Sequence, residues 1–134
     1  MTTPLPNVED RDTAPFFALA RQGKLGYCRC PECQQVLHPP RSVCGVCGGS
    51  GQEWVVSSGY GRVYSHIVVE HPAHPAFEVP YTIVLVELED APEVRLVGSI
   101  PGRAELEIGS RMQVRFDQVA EDIWLPQWEV QGGA

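Results

Sequence analysis

Basic side chains are scarce in this sequence, and lysine is nearly missing. Ten lysines and arginines, of which one is lysine, face seventeen aspartates and glutamates, so the formal net charge is −7. Proteins that bind nucleic acids draw most of their affinity from lysine and arginine placed against phosphates. The charge balance therefore disfavours a nucleic acid as a partner.

Long apolar runs are missing as well. No window approaches the roughly eighteen consecutive apolar residues of a membrane-spanning helix, so we expect no membrane span. Residues 1–11 have neither the basic start nor the apolar run of a secretory signal. These two absences predict a cytoplasmic protein.

Cysteine is missing outside one short stretch. All five cysteines lie between positions 28 and 47, in a segment rich in glycine and proline and poor in large apolar side chains. Such a segment cannot hold a core without a crosslink or a metal. Because clustered cysteines in a reducing cytosol bind metal more often than they form disulfides, we expect a metal site here.

Two Cys-x-x-Cys pairs, Cys30 with Cys33 and Cys44 with Cys47, are separated by ten residues. Each pair turns two sulfurs toward one point, and together they complete the tetrahedron of thiolates that zinc prefers. Four protein ligands leave no position for water or substrate, so the spacing predicts one structural zinc ion. Iron is the main competing metal. A redox dithiol, which needs only one pair, is the weaker alternative.

Residues beside the two pairs refine this prediction. Gly48 suits the positive φ angle that lets backbone amides donate to the sulfurs, whereas Gln34 holds the matching place at the first pair and is less favourable there. Cys28 is interpreted as a spare thiol beside the site, with an alternate ligand replacing Cys30 as the second interpretation.

The remaining sequence predicts one short helix and a set of strands. An aromatic stripe over 13–22, with Asp12 or Thr13 as the N-cap and Gly23 after the last turn, predicts a helix too short to be stable alone. Five apolar or alternating stretches between glycine and proline breaks predict a small Greek-key barrel. These strands begin near Val63, Tyr81, Val94, Arg111 and Ile123.

Within these strands, the stretch at 81–88 is apolar nearly throughout, which predicts burial on both faces. Pro126 marks a bulge or an edge strand. The composition shifts divide the chain into a tail with a docking helix (1–23), a ribbon (24–52) and a barrel (53–134).

The order of these features resembles one bacterial and archaeal family. It is the acyl-CoA-associated family long called a domain of unknown function, which joins a rubredoxin-like zinc ribbon to an OB fold. The resemblance covers roughly residues 13–130 and rests on order and spacing. The motifs that carry it are Phe16-Phe17, Gly23-Lys24-Leu25, the two cysteine pairs, His38-Pro39-Pro40-Arg41, Gly59-Tyr60-Gly61-Arg62-Val63-Tyr64-Ser65, Val79-Pro80-Tyr81 and Val86-Glu87-Leu88.

This resemblance implies a mainly β chain with an N-terminal helix, a zinc ribbon and a five-stranded OB-fold barrel. It also implies a hetero-oligomer in which a thiolase-fold chain acts on acyl-CoA thioesters and this chain docks on it and stabilises it. Family members are found with thiolases, with hydroxymethylglutaryl-CoA synthase and with aldolases that shorten steroid side chains. The sequence departs from the family at Gln34, commonly Gly, and at Gly45, commonly Pro.

A search for catalytic motifs finds no nucleophile elbow, Walker loop or dinucleotide fingerprint, so we expect no catalysis by this chain alone. Steroid side-chain retro-aldol cleavage is the specific reaction that the resemblance suggests for the partner. Two other hypotheses stay open. One is a nucleic-acid-binding zinc-ribbon/OB module, and the other is a stand-alone enzyme.

Arginines and aromatics supply the candidate contacts. The candidates for binding CoA or the partner are Arg41, Arg62 and Arg103. A salt bridge between ribbon and barrel is the alternative for Arg41. The aromatics exceed what a small barrel can cover, which predicts an interface. They are Phe16, Phe17, Tyr60 and Phe77, with Trp124 and Trp128. In the alternative, the helix folds back and buries Phe16 and Phe17.

Overall fold

The computed structural model describes residues 3–131. Its elements, in chain order, are α1 (Ala14–Arg21), β1 (Gly26–Arg29), β2 (Glu53–Val56), β3 (Tyr60–Val69), β4 (Tyr81–Leu88), β5 (Arg95–Pro101), β6 (Arg111–Ala120) and β7 (Ile123–Val130). Across the described residues, no helix has the length and apolar character to cross a bilayer.

Strands β3 to β7 form one antiparallel five-stranded sheet, in the order β5-β4-β3-β6-β7. The five predicted strands are thereby confirmed. Along β4, alternate residues are buried and the residues between them are half-buried. The prediction that β4 is buried on both faces is therefore wrong, because one of its faces lies on the outside of the barrel.

The barrel core is a single cluster of buried apolar side chains. Its members are Leu25, Val63, Val84, Val86, Leu88, Ala91, Val94, Met112 and Trp128. Trp128 is only 1% exposed. Its predicted place at an interface is wrong, because the small barrel uses the indole to fill its interior. Leu25, which precedes β1, ties the ribbon to this core.

Side chains close the barrel between its two outermost strands, β5 and β7, which are not paired with each other. The indole Nε1 of Trp128 donates to the carbonyl of Leu96 at 3.2 Å. The backbone amide of Ser99 donates to Oε1 of Gln127 at 2.7 Å, and Nη2 of Arg115 donates to the carbonyl of Ser99 at 3.1 Å. Pro126 lies in β7, so it marks an edge strand, as predicted.

The helix is confirmed, and Thr13 holds the N-cap position, one of the two predicted. The predicted capping hydrogen bond is not made, because the Thr13 side chain accepts no hydrogen bond from a helix amide. The Asp12 carboxylate instead accepts a hydrogen bond from the hydroxyl of Ser42, which ties the start of the helix to the ribbon. Gly23, with a φ of +74°, has the predicted left-handed conformation after the helix. Phe16 packs against the barrel core.

Strands β1 and β2 form a separate antiparallel pair in which Cys28 lies opposite Trp54. Neither strand is predicted by the sequence pattern. Two hydrogen bonds then join this pair and its loops to the barrel. The hydroxyl of Ser57, which follows β2, donates to the carboxylate of Asp90 at 2.9 Å, and Nε2 of His38 lies 3.0 Å from the carbonyl oxygen of Arg95.

Candidate metal centre and contact surfaces

Four cysteine sulfurs converge between the loops that follow β1 and precede β2. The sulfurs of Cys30, Cys33, Cys44 and Cys47 all lie within 4.8 Å of one another. The Cys30–Cys47 and Cys33–Cys44 sulfur distances are 3.6 and 3.7 Å. A tetrahedron with Zn–S bonds of about 2.3 Å has sulfur–sulfur edges of about 3.8 Å. The four predicted cysteines are thus positioned to bind a metal ion, and their spacing fits zinc.

Two turns of the same shape supply these sulfurs. We call residues 29–36 the first knuckle and residues 43–50 the second knuckle. In each knuckle the amide of the leading cysteine donates to the carbonyl five residues later, and the amide four residues later donates back, at 2.8–3.0 Å. Isolated bridges close both turns, Arg29 with Val36 and Val43 with Ser50. The second knuckle therefore repeats the first with an offset of fourteen residues.

The residue after the second cysteine has a left-handed backbone in both knuckles. Gly48 has a φ of +75° and Gln34 a φ of +67°. The prediction for Gly48 is confirmed. Gln34 holds the same conformation with a side chain, which costs about 1–2 kcal/mol relative to glycine. The side-chain nitrogen Nε2 of Gln34 lies 3.5 Å from Oε2 of Glu53.

Backbone amides act on the sulfurs of the second knuckle. The amides of Cys47 and Val46 lower the pKa of the Cys44 thiol to about 7. The Gly49 amide lowers the pKa of Cys47, but the neighbouring sulfurs of Cys33 and Cys30 outweigh it and raise that pKa to about 12. Four sulfurs this close cannot all ionise at neutral pH without a cation among them. A metal ion at the centre would supply that cation, and the four sulfurs are positioned to hold one.

Cys28 lies outside this set of four sulfurs. It is buried and packs with Cys30, Leu37 and Cys44, against which Trp54 also rests. Burial raises the pKa of its thiol. Among the described residues, the group able to hold a metal is formed without Cys28. The placement favours the spare-thiol interpretation over the alternate ligand.

The three candidate arginines differ in their surroundings. Arg103 forms a two-pronged ion pair with Glu70, with Nη2 and Oε2 2.7 Å apart. Nη1 of Arg62 donates to the Gly109 carbonyl at 3.2 Å, and Nη2 lies 3.7 Å from the carboxylate of Glu89. Carboxylates of the same chain thus already pair with the side chains of Arg62 and Arg103.

Arg41 is exposed, and within residues 3–131 its side chain makes no hydrogen bond or ion pair. The alternative prediction of a salt bridge from Arg41 to the barrel is therefore not found in this range. A Cβ built on Gly45 would lie 3.7 Å from Nη1 of Arg41. The guanidinium thus rests beside the second knuckle.

The structure brings two of the predicted interface aromatics together. Phe16 and Phe77 line an apolar cleft of about 980 Å³ at the junction of β5 and β7. Phe17 packs edge-on against Phe16 with ring centroids 5.3 Å apart, at a smaller cavity of about 220 Å³. Tyr60 lies elsewhere, with the guanidinium of Arg111 4.1 Å from its ring centroid.

Strand residues that the sequence analysis did not select line much of this cleft. They include Tyr81, Ile83, Val97, Leu125 and Pro126. Val97 is 63% exposed. A signal for them is present in β4, where apolar residues occupy both the inward and the outward positions.

Two family models match consecutive parts of the chain. The ChsH2 rubredoxin-like zinc ribbon domain matches residues 17–53, and the ChsH2 C-terminal OB-fold domain matches residues 54–117. Among solved structures, the chain is similar to one chain of the Ltp2-ChsH2(DUF35) aldolase. The TM-score is 0.82 and the identity 38%, covering 96% of this chain and 98% of the other.

Sequence relatives carry two kinds of names. A probable enoyl-CoA hydratase alpha subunit of Thermomonospora curvata is 40% identical over 87% of this chain, and the 3-oxo-4,17-pregnadiene-20-carboxyl-CoA hydratase alpha subunit of Mycobacterium tuberculosis is 33% identical over 89%. This chain spans only 37% and 38% of those subunits. A DUF35 domain-containing scaffold protein of Methanocaldococcus jannaschii is 34% identical, covering 76% of this chain and 77% of the relative.

The models, the structure and the relatives agree with the resemblance drawn from the motifs. The ribbon and the barrel each match their own domain model, in the same order as in the family. The chain therefore belongs to the DUF35 family, whose members join a ChsH2-type zinc ribbon to an OB fold.

Proposed function

We propose that this chain is a non-catalytic accessory subunit that docks on a thiolase-fold enzyme acting on acyl-CoA thioesters and stabilises it. The observation that carries the proposal is the 38% identity, over 96% of the chain, with a chain of the Ltp2-ChsH2(DUF35) aldolase. The scaffold name of the methanogen relative supports an accessory role, and the hydratase names support CoA thioesters as the substrate class.

One zinc ion holds the ribbon in this proposal. The ligands are Cys30, Cys33, Cys44 and Cys47, whose sulfurs are spaced for a four-thiolate tetrahedron. With all four positions taken by protein, the ion has no place for water or substrate and contributes to folding alone. The partner chain supplies the catalytic residues.

The docking surface of the barrel is the apolar cleft at the junction of β5 and β7. Phe77 and Val97 at this cleft are 38% and 63% exposed. Large apolar side chains in contact with water favour burial by another surface, and aromatic residues are enriched at the centre of interfaces. Partner side chains or the acyl part of the thioester fill the cleft. A steroid side chain is the specific acyl group that the mycobacterial relative suggests.

The charges of the surface weigh against a nucleic-acid-binding module. Of the ten lysines and arginines, seven form ion pairs with carboxylates of this chain. Binding to single strands needs a groove of cations that are available to phosphates. The pairing leaves few such cations, which argues against that function.

Purification of the tagged chain from its own organism tests the proposal. We expect a thiolase-fold chain to co-purify in stoichiometric amount, identified by mass spectrometry, and the complex to turn over an acyl-CoA. The tagged chain alone is expected to show no turnover. Isolation of the chain without a thiolase-fold partner, or turnover by the chain alone, contradicts the proposal.

A matched pair of variants links the association to the cleft. Phe77→Asp places a charge in the apolar cleft and is expected to abolish co-purification. Ile108→Asp places the same charge at an exposed apolar residue in the turn before β6, away from the cleft lining, and is expected to keep it. Equal association of both variants would exclude the cleft as the docking surface.

A further inference from the structure

The two knuckles share a backbone but carry different surfaces. In the first knuckle, Arg29 pairs with Glu53 at 2.8 Å, and Glu32 is exposed to water. Val43 and Val46 hold the corresponding positions of the second knuckle, and they are 59% and 72% exposed. The backbone needs neither valine, because the first knuckle forms the same turn with charged residues at these positions.

Arg41 adds a charge beside Gly45 of the second knuckle. Three of the ten cations make no ion pair within residues 3–131: Arg21, Lys24 and Arg41. Arg21 lies in the last turn of the helix and Lys24 follows it, where positive charge is favoured by the helix dipole. The helix gives no such reason for Arg41, which lies in the ribbon. Its guanidinium rests beside Gly45, a residue that lies between Val43 and Val46 in the sequence.

We propose that the second knuckle, together with Arg41, is a docking face for the partner chain. It fits a protein surface on which a carboxylate is surrounded by apolar side chains. Arg41 would bind this carboxylate while Val43 and Val46 exclude water from the pair, which strengthens a charge-assisted hydrogen bond. The inference rests on the proposed function and identifies a second contact surface, apart from the cleft of the barrel.

A protein carboxylate fits this face better than a phosphate-rich ligand does. The carboxylate of Glu32 approaches Gly49, so a negative charge already lies on the second knuckle. A single arginine with a carboxylate nearby cannot offset several phosphates. The two exposed valines also favour a partner that brings apolar surface of its own.

The test measures the affinity between this chain and its co-purified thiolase-fold partner by isothermal titration calorimetry. We expect Arg41→Glu and Val46→Glu each to weaken binding about tenfold or more, as for residues central to an interface. Gln35→Glu is the matched control for Val46→Glu, since it adds the same single negative charge to an exposed position of the first knuckle. We expect it to change the dissociation constant by less than about twofold.

Two measurements separate docking from folding. Zinc content and hydrogen exchange over residues 28–50 are expected to match the wild type in all three variants. Arg41→Met, which keeps an unbranched apolar stem without the charged guanidinium, is expected to bind more weakly and to reduce the salt dependence of binding.

The outcomes distinguish this inference from the function on which it rests. If the wild type and all variants bind the partner alike, the second knuckle is not a docking face, and the accessory function stands. Equal weakening by Gln35→Glu also overturns the assignment, because the effect would then follow net charge. If the wild type binds no thiolase-fold chain, the proposed function fails, and this inference fails with it.

Discussion

The ribbon and the barrel are held together by different forces. The barrel buries nine side chains in one cluster, eight of them from the barrel itself and one, Leu25, from the edge of the ribbon. The ribbon buries four residues, of which three are cysteines and one is Leu37. The barrel can therefore fold by removing apolar surface from water, whereas the ribbon has too little such surface and needs a metal ion.

This difference predicts how each part responds to damage. Loss of the metal should unfold the ribbon and leave most of the barrel cluster in place. Loss of a barrel side chain should lower the stability of the whole chain, because Leu25 joins the ribbon to that cluster. The predictions below test this contrast.

Removal of the metal ligands has the largest expected effect. The double variant Cys33→Ser/Cys44→Ser should lose the metal and with it a binding free energy of about 10–16 kcal/mol, the range for structural zinc sites. Hydrogen exchange should show loss of protection over residues 28–50 and retained protection in β4. Cys28→Ala is the control, and it should keep one zinc per chain by elemental analysis. A double variant with a protected ribbon would contradict the proposed structural role of the metal.

Truncation of the largest core side chain comes next. Trp128→Ala should destabilise the chain by about 3–5 kcal/mol, because it leaves a cavity in the barrel. Trp128→Phe should cost less, since it keeps an aromatic ring and loses the hydrogen bond from the indole to Leu96. Urea unfolding followed by circular dichroism gives both values. Trp54→Ala removes the half-buried indole of the ribbon and should cost less stability than Trp128→Ala. Similar losses in the free energy of unfolding for the two variants would contradict the contrast between ribbon and barrel.

The left-handed positions of the two knuckles allow a smaller test. Gly48→Ala should destabilise the ribbon by about 1 kcal/mol, because no neighbouring atom lies within 4 Å of the added Cβ and only the backbone is strained. Gln34→Gly should stabilise the ribbon or leave its stability unchanged. Competition with a zinc chelator measures both, and we expect roughly fivefold weaker zinc binding for Gly48→Ala. Weaker binding by Gln34→Gly would show that the Gln34 side chain stabilises its own strained turn.

Acid titration of a surface pair should give the smallest effect. The hydrogen bond and charge of Arg111 lower the pKa of Glu89 from its ordinary 4.5. A lowered pKa contributes stability above the ordinary pKa, and this contribution is lost as the pH falls through the value in the folded chain. Glu89→Gln should therefore destabilise the barrel slightly at pH 7 and by less at pH 3. Urea unfolding at both pH values, at low and high salt, measures the difference.

The barrel strands and the helix could be predicted from the sequence, because each is determined by the residues of its own segment. The five barrel strands have long apolar or alternating stretches, and the helix has an aromatic stripe followed by Gly23. Strands β1 and β2 are only four residues each, and they flank a segment rich in cysteine and glycine. Their pairing depends on the closed ribbon, so no local pattern indicates it.

Contacts between residues that are far apart in the sequence could not be predicted from such local patterns. The four cysteines that are positioned to bind a metal could be predicted from spacing, because each Cys-x-x-Cys pair fixes its own turn. The pairing of Arg103 with Glu70 joins positions 33 residues apart, and the burial of Trp128 depends on the approach of β5 to β7. The sequence shows which residues carry charge or aromatic surface, but the tertiary fold decides which of them remain available to a partner.

The barrel is closed between β5 and β7 by side chains, because Arg115, Gln127 and Trp128 bridge these strands. We therefore expect single substitutions at these positions to change the width of the opening. A barrel closed by a backbone ladder would need a change of register to alter its girth. In this chain we expect the entrance to the cleft to change with single side chains while the strand pairing of the barrel stays constant.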